Sequence, residues 1–193
     1  TITPEFLEEV RPYPNLCPHF HLSLQSGCDE TLRRMNRKYD TARFYESVTL
    51  LRQYFHRPAV TTDLICGFPD ETNREFEQTM AFIEKCAFAD MHIFPYSVRP
   101  GTKAAELVQF SAAVKEERTR RAVAVARTMH RAYLEGCVGQ TYPVLYEQEK
   151  DGLYTGHAPN YCEVCVRAED LHNKIIDTKI VGIDGDALIG ELT

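Results

Sequence analysis

No apolar run in the chain approaches the length of a membrane span, and nothing ahead of Thr3 reads as a secretory leader. Positive charge is in deficit. With 22 Lys and Arg against 28 Asp and Glu, the formal net charge is −6. That argues against a cationic field over the whole surface, and so against a general nucleic-acid binder, while leaving room for a local basic patch. A regular cysteine framework is also missing. The seven cysteines fall at 17, 28, 66, 86, 137, 162 and 165, an odd number at irregular spacing, which fits reduced thiols better than disulfides. There is no internal repeat. The expectation from these absences is a cytoplasmic chain with no membrane partner.

What is present has an ordinary globular balance, 44% hydrophobic and 26% charged over 193 residues, enough for one or two domains. Thr3 and Pro4 form a helix start almost at the first residue, so the chain is expected to be a piece of a longer protein. The most informative stretch is His19–Tyr39. Phe20, Leu22 and Leu24 alternate with His19, His21, Ser23 and Gln25, the period of a strand with one polar face. Gln25-Ser26-Gly27 breaks the pattern, and Asp29 is placed to cap the helix that follows. Two more strand-and-helix pairs succeed it. A strand over 60–66 ends at Gly67-Phe68-Pro69, and Thr72 with Glu75 makes a capping box for the next helix. A strand over 91–97 is followed by a long helix over 111–136. Val114, Val125, Met129 and Tyr133 are expected inward on that helix, and Arg118, Arg120, Arg121, Arg127 and Arg131 outward.

Strand–helix alternation implies a parallel sheet with helices packed outside. In such sheets ligands bind just beyond the carboxyl ends of the strands. The three strand ends, 25–27, 67–69 and 95–97, should therefore share one rim. From Thr141 the texture changes to Gly-punctuated short strands, the pattern of a small all-β barrel. The boundaries read as 1–138 and 141–193.

Three runs, HLSLQSGCDETLRRMNRKY, TTDLICGFPDETNREFE and HIFPYSVRPGTKAA, resemble successive signatures of the radical S-adenosylmethionine tRNA methylthiotransferases, with the threonylcarbamoyladenosine branch as the nearest match. VLYEQEKDGLYTGHAPNYCEVCV resembles the TRAM domain that ends those enzymes. The fold this implies is α/β, a partial parallel (β/α) barrel of the radical SAM type followed by a small all-β TRAM barrel. The resemblance implies a transferase that places a methylthio group on a modified adenosine next to the anticodon of tRNA. Its cofactors would be S-adenosylmethionine and two 4Fe–4S clusters. The family holds its radical cluster with a CxxxCxxC motif, which this sequence does not contain. The chain thus resembles a carboxy-terminal portion whose amino-terminal part is its missing partner, inactive by itself and expected to hold no cluster after reconstitution.

By the same resemblance, Gln25, Asp63, Gly67, Phe68, Pro69 and Glu71 border S-adenosylmethionine. Phe94, Pro95 and Tyr96 flank its adenine, and Arg37 meets its carboxylate. Arg118, Arg120, Arg121 and Arg127 are the candidate RNA contacts, set against a plainer reading in which they pair with Glu116, Glu117 and Glu135 on a solvated helix face. Cys162 and Cys165 should face opposite sides of one strand, which does not suit a shared metal. Two rival functions remain. One is a metal-dependent barrel hydrolase built on His19, His21, Asp63 and His92, although ordinary hydrogen bonds account for such histidines more simply. The other is a non-catalytic RNA-binding module.

Overall fold

The protein is described by a computed structural model covering residues 2–193. Helix α1 (Pro4–Val10) begins where expected, with Thr3 as N-cap accepting from the Phe6 N–H. Strand β1 (His19–His21) leads to α2 (Asp29–Arg34) and α3 (Thr41–Tyr54). Then come β2 (Ala59–Cys66), α4 (Asn73–Cys86), β3 (Asp90–Pro95) and, after a short 3-10 turn at Lys103–Glu106, the long helix α5 (Ala112–Cys137). The strands pair in parallel in the order β1-β2-β3.

One face of this sheet is covered. Leu24, Val60, Leu64, Cys66 and Met91 pack with Phe44, Val48 and Leu51 of α3, Phe76, Met80 and Ile83 of α4, and Ala122 and Ala126 of α5. Alternation along β2 puts Thr61, Asp63 and Ile65 on the opposite, partly open face.

Several local expectations need correction. β1 is shorter than its alternation suggests, because the Thr62 hydroxyl takes over its hydrogen bonds. That hydroxyl accepts from the Leu24 N–H and donates to the Leu22 carbonyl. Gln25 then sits at φ +68 and rejoins the sheet in an isolated bridge to Leu64, so it is buried rather than continuing the polar row. Cys28, not Asp29, holds the N-cap position of α2. Asp29 instead accepts from the Thr41 N–H, tying α2 to the start of α3. On α5 two facings are reversed. Val114 is exposed and Arg118 is buried, because this end of α5 overhangs the rim and meets polar groups there instead of the apolar sheet.

The second unit is β4 (Thr141–Lys150), β5 (Leu153–His157), β6 (Glu163–Arg167), β7 (Lys174–Asp184) and β8 (Ala187–Leu192), closed into a barrel in the order β4-β5-β6-β8-β7. It is not wholly antiparallel, since β6 and β8 pair in parallel at Val164–Leu188 and Cys165–Ile189. Its core holds Val144, Tyr146, Val164, Ile180 and Leu188. Leu134 and Cys137 from the end of α5 join that core. Gly139 at φ +86 makes the turn between helix and barrel, a conformation only glycine adopts without strain.

Candidate functional site

The rim is assembled as the register dictates. Cys66 lies opposite Pro95, and the Tyr96 N–H extends the ladder to the Cys66 carbonyl at 2.8 Å. The turn after β1 is pressed against α4, because Gly27 donates to Thr79 Oγ1 at 3.2 Å and a Cβ there would lie 2.8 Å from Phe82 Cβ. The turn after β2 needs Gly67 for two reasons. Its φ is +72, and a Cβ would lie 2.6 Å from Lys115 Cγ. Lys115 in turn donates to the Tyr96 carbonyl at 3.1 Å, holding the turn after β3 to α5.

A buried ion pair braces this rim. Glu71 is 1% exposed and Arg118 5%. Arg118 Nη1 donates to Glu71 Oε2 at 2.7 Å and to the Glu71 carbonyl, and Nη2 reaches Asn73 Oδ1 at 2.9 Å. The Gly67 N–H donates to the same carboxylate oxygen at 3.1 Å. Burial pushes the Glu71 carboxyl up, against the opposing pull of Arg118 and the Gly67 N–H. The Arg118 guanidinium lies against the rings of Phe76 and Phe110, which covers its flat apolar faces while its edge N–H groups hydrogen-bond. Thus Glu71 is used inside the protein in this arrangement, and Arg118 does not present its charge to a phosphate.

The other site candidates divide by exposure. Gln25, Gly67, Phe68 and Pro69 are buried. Phe94, Pro95 and Arg37 are exposed, and Tyr96 is half-buried with its ring edge-on to Phe68 at 5.2 Å. The Tyr96 hydroxyl is buried without a hydrogen-bond partner. An open aromatic face at Phe94 and an unsatisfied hydroxyl at Tyr96 are what a nucleoside could use, one for stacking and one for a hydrogen bond. The residues present therefore fit the nucleoside part of S-adenosylmethionine. They do not fit an iron–sulfur cluster, because no three thiols come together among the described residues. Cys66 lies in the apolar core, and burial pushes its thiol up to about 12. Cys28 donates to Glu30 and Gln78. The Cys137 thiol is drawn below its ordinary range, mainly by the neighbouring Cys162 and further by Tyr142, Arg57 and Asn160 at 3.6 Å, against the opposing effect of burial. Cys165 stands apart, near Glu163 and Asp184.

Among the arginines of α5, Arg120 is paired with Glu117 at 2.8 Å, Arg121 with Glu77 at 2.8 Å and Arg131 with Glu135 at 3.1 Å. Arg127 is exposed and edges a cavity of about 460 Å³ between the beginnings of the sheet strands, α5 and the barrel. His19 and Tyr161 also line that cavity, and Tyr161 stacks on His19 at 5.1 Å and on His157 at 4.9 Å. Sequence reasoning missed this stack and the Glu71–Arg118 brace. The brace joins residues 47 apart, and His19 is farther still from Tyr161; no local pattern marks such pairs.

On the open face of the sheet, four of the polar residues weighed in the sequence do meet. Thr61 Oγ1 is 3.2 Å from both His19 Nε2 and His21 Nδ1. His21 Nε2 donates to Asp63 Oδ2 at 3.1 Å, and His92 Nδ1 lies 3.3 Å from Asp63 Oδ1. Burial and the neighbouring His21 both lower His19, favouring its neutral form.

Comparison with known proteins matches residues 1–83 to the radical SAM superfamily. The threonylcarbamoyladenosine tRNA methylthiotransferase of Bacillus subtilis is 34% identical over 93% of this chain and 42% of its own length. The protein of the same name from Chlamydia pneumoniae is 34% identical over 99% of the chain and 46% of its own length. A tRNA-2-methylthio-N(6)-dimethylallyladenosine synthase of Mycobacteroides abscessus is 37% identical over 78% of the chain and 30% of its own length. Among solved structures, the radical SAM enzyme coproporphyrinogen III oxidase of Escherichia coli superposes with a TM-score of 0.55 at 15% identity, over 80% of this chain and 43% of that one, a likeness of fold alone. The chain is thus similar over most of its length to tRNA methylthiotransferases, and its residues 1–83 match the radical SAM superfamily. It spans less than half the length of the relatives it matches.

Proposed function

We propose that this chain, a relative of the tRNA methylthiotransferases, is the sheet-and-barrel portion of an enzyme that adds a methylthio group to a modified adenosine beside the anticodon. The observation that carries the reading is relatedness over 93% of the chain, running through both the parallel sheet and the closed barrel. In this reading the barrel over 141–193 is a TRAM domain and the unit over 1–138 is the later part of a radical SAM barrel. The protein works in the cytoplasm on tRNA. The two iron–sulfur clusters belong to an amino-terminal partner segment, since no three thiols come together among the described residues here. S-adenosylmethionine, when bound, supplies the radical. The residues here bind and orient it: Phe94 and Tyr96 at its nucleoside, the backbone of Gly67 to Pro69 along its edge, Gln25 and Asp63 beneath, and Arg37 toward its carboxylate. Glu71 acts by holding Gly67 in place.

For RNA, the reading relies on Arg120, Arg121 and Arg127 together with the barrel. The first two exchange exposed carboxylate partners for phosphates, an exchange that costs little because such surface pairs are weak. The test is fluorescence anisotropy of labelled tRNA over a salt series. The chain should bind, with affinity falling steeply as salt rises. Arg120→Ala, Arg121→Ala and Arg127→Ala together should flatten the log–log slope by about 0.7–0.9 for each phosphate no longer neutralised. A chain that binds no tRNA at low salt would overturn the reading.

A further inference from the structure

We propose that His21, Asp63 and His92 form a binding site for a divalent transition-metal ion of the zinc class, on the open face of the sheet. The inference does not rest on the proposed function. The site sits deeper on the sheet than the rim turn, since Asp63 precedes Gly67 by four residues, roughly 13 Å along a strand, and it shares Asp63 with the proposed cofactor contacts.

The argument begins with register. His21 pairs with Thr61 on β2, and Asp63 pairs with His92 on β3. Side chains two apart on a strand share a face, so one ligand from each of three strands arrives on the same side. Their ligand atoms lie within 4.8 Å of one another. A tetrahedral zinc with bonds of about 2.0–2.1 Å holds its ligand atoms about 3.3 Å apart. His21 Nε2 is 3.1 Å from Asp63 Oδ2 and His92 Nδ1 is 3.3 Å from Asp63 Oδ1, so the two oxygens of one carboxylate already face the two imidazoles at about that spacing. The remaining adjustment falls on His92, whose side chain is 65% exposed and free to turn. Two imidazoles and a carboxylate suit zinc, cobalt or iron(II) rather than magnesium or calcium.

A metal-bound imidazole is ordinarily oriented by a hydrogen bond from its other nitrogen. His21 has that support, because its Nδ1 faces Thr61 Oγ1 at 3.2 Å, and the same hydroxyl faces His19 Nε2. With metal on Nε2, the His21 proton moves to Nδ1 and donates to Thr61 Oγ1, whose hydroxyl faces His19 Nε2 at 3.2 Å as its own acceptor. Every group in the row stays satisfied. The competing cluster of Cys28, Glu30 and Glu75 has no such freedom, because Glu75 is held by both terminal nitrogens of Arg34 at 3.0 and 2.8 Å.

The test titrates the 193-residue chain with zinc by calorimetry and with cobalt(II) by absorption. One equivalent should bind, and excess magnesium should not compete. The cobalt spectrum should lack a thiolate charge-transfer band. Thr61→Val should weaken zinc binding roughly 10–100-fold, and His92→Ala or Asp63→Asn should weaken it further. Cys28→Ser should leave it unchanged. His92 is an exposed ligand, so His92→Ala keeps the fold, which circular dichroism verifies. Absence of saturable binding, an unchanged affinity in His92→Ala, or a thiolate band would each overturn the proposal, leaving the triad as a hydrogen-bonded row.

Discussion

The parallel sheet and the barrel behind it treat their backbone edges in opposite ways. Among the described residues, β1 and β3 each pair only with β2, so the sheet is open at both sides and presents a polar face. The barrel pairs every strand with two neighbours and has no edge. The open unit accordingly carries His19, His21, His92, Asp63, Phe94 and Tyr96 on its open face and rim. The closed unit turns Tyr146, its largest fully buried side chain, inward, where its hydroxyl meets Thr178 at 2.9 Å. The first unit adds a buried charge pair at its rim to an apolar core, whereas the second closes around apolar side chains. α5 belongs to both.

The largest expected effect breaks the comparison at the rim. Arg118→Ala would leave the Glu71 carboxylate buried and unpaired, a loss of about 3–5 kcal/mol. In urea denaturation this loss should fall on the sheet unit and be partly recovered by adding Glu71→Gln. A midpoint equal to that of the original chain would remove the brace from the account.

Leu134→Ala tests whether α5 couples the units. The residue lies on the helix that follows the sheet but is 1% exposed within the barrel core. A loss of about 2–5 kcal/mol is expected. Near-ultraviolet dichroism of the barrel tyrosines should lose its signal before the sheet unit unfolds. One common transition for both units would mean that helix and barrel unfold as a single block with the sheet.

The smallest effect is a pH dependence confined to the sheet unit. Burial pushes the Glu75 carboxyl up, but the Arg34 fork and the Thr72 N–H outweigh it and hold the group below its ordinary 4.5. Because the folded value lies below the unfolded one, the contribution is complete above pH 4.5 and is lost as pH falls through the lowered value. Arg34→Met should therefore cost under about 1 kcal/mol at neutral pH and nothing in acid, so the two denaturation midpoints converge on acidification. Midpoints that stay equally far apart at every pH would show that Arg34 acts by packing alone.

Local order was legible where neighbours in sequence are also the physical partners. The Thr72–Glu75 capping box forms as read, with both reciprocal hydrogen bonds, because it closes within one helical turn. The strand–helix alternation pointed to the parallel sheet for the same reason, since short connections between unlike elements leave few other arrangements. The switch to Gly-punctuated short strands pointed to a small barrel, but not to the parallel pairing of β6 with β8, which depends on which strand closes the ring.

At the site, sequence by itself determined which residue types reach the rim, because strand ends and glycine turns are local properties. Only the tertiary structure decided which of them are free. Arg118 reads as a surface charge from helical periodicity, and Glu71 reads as a ligand-side carboxylate. They neutralise each other because α5 returns across the turn after β2, a meeting of residues 47 apart. His21, Asp63 and His92 likewise share a site only through the register of three strands. Charges and ligands act over a few ångströms of space, whereas periodicity reports only distance along the chain.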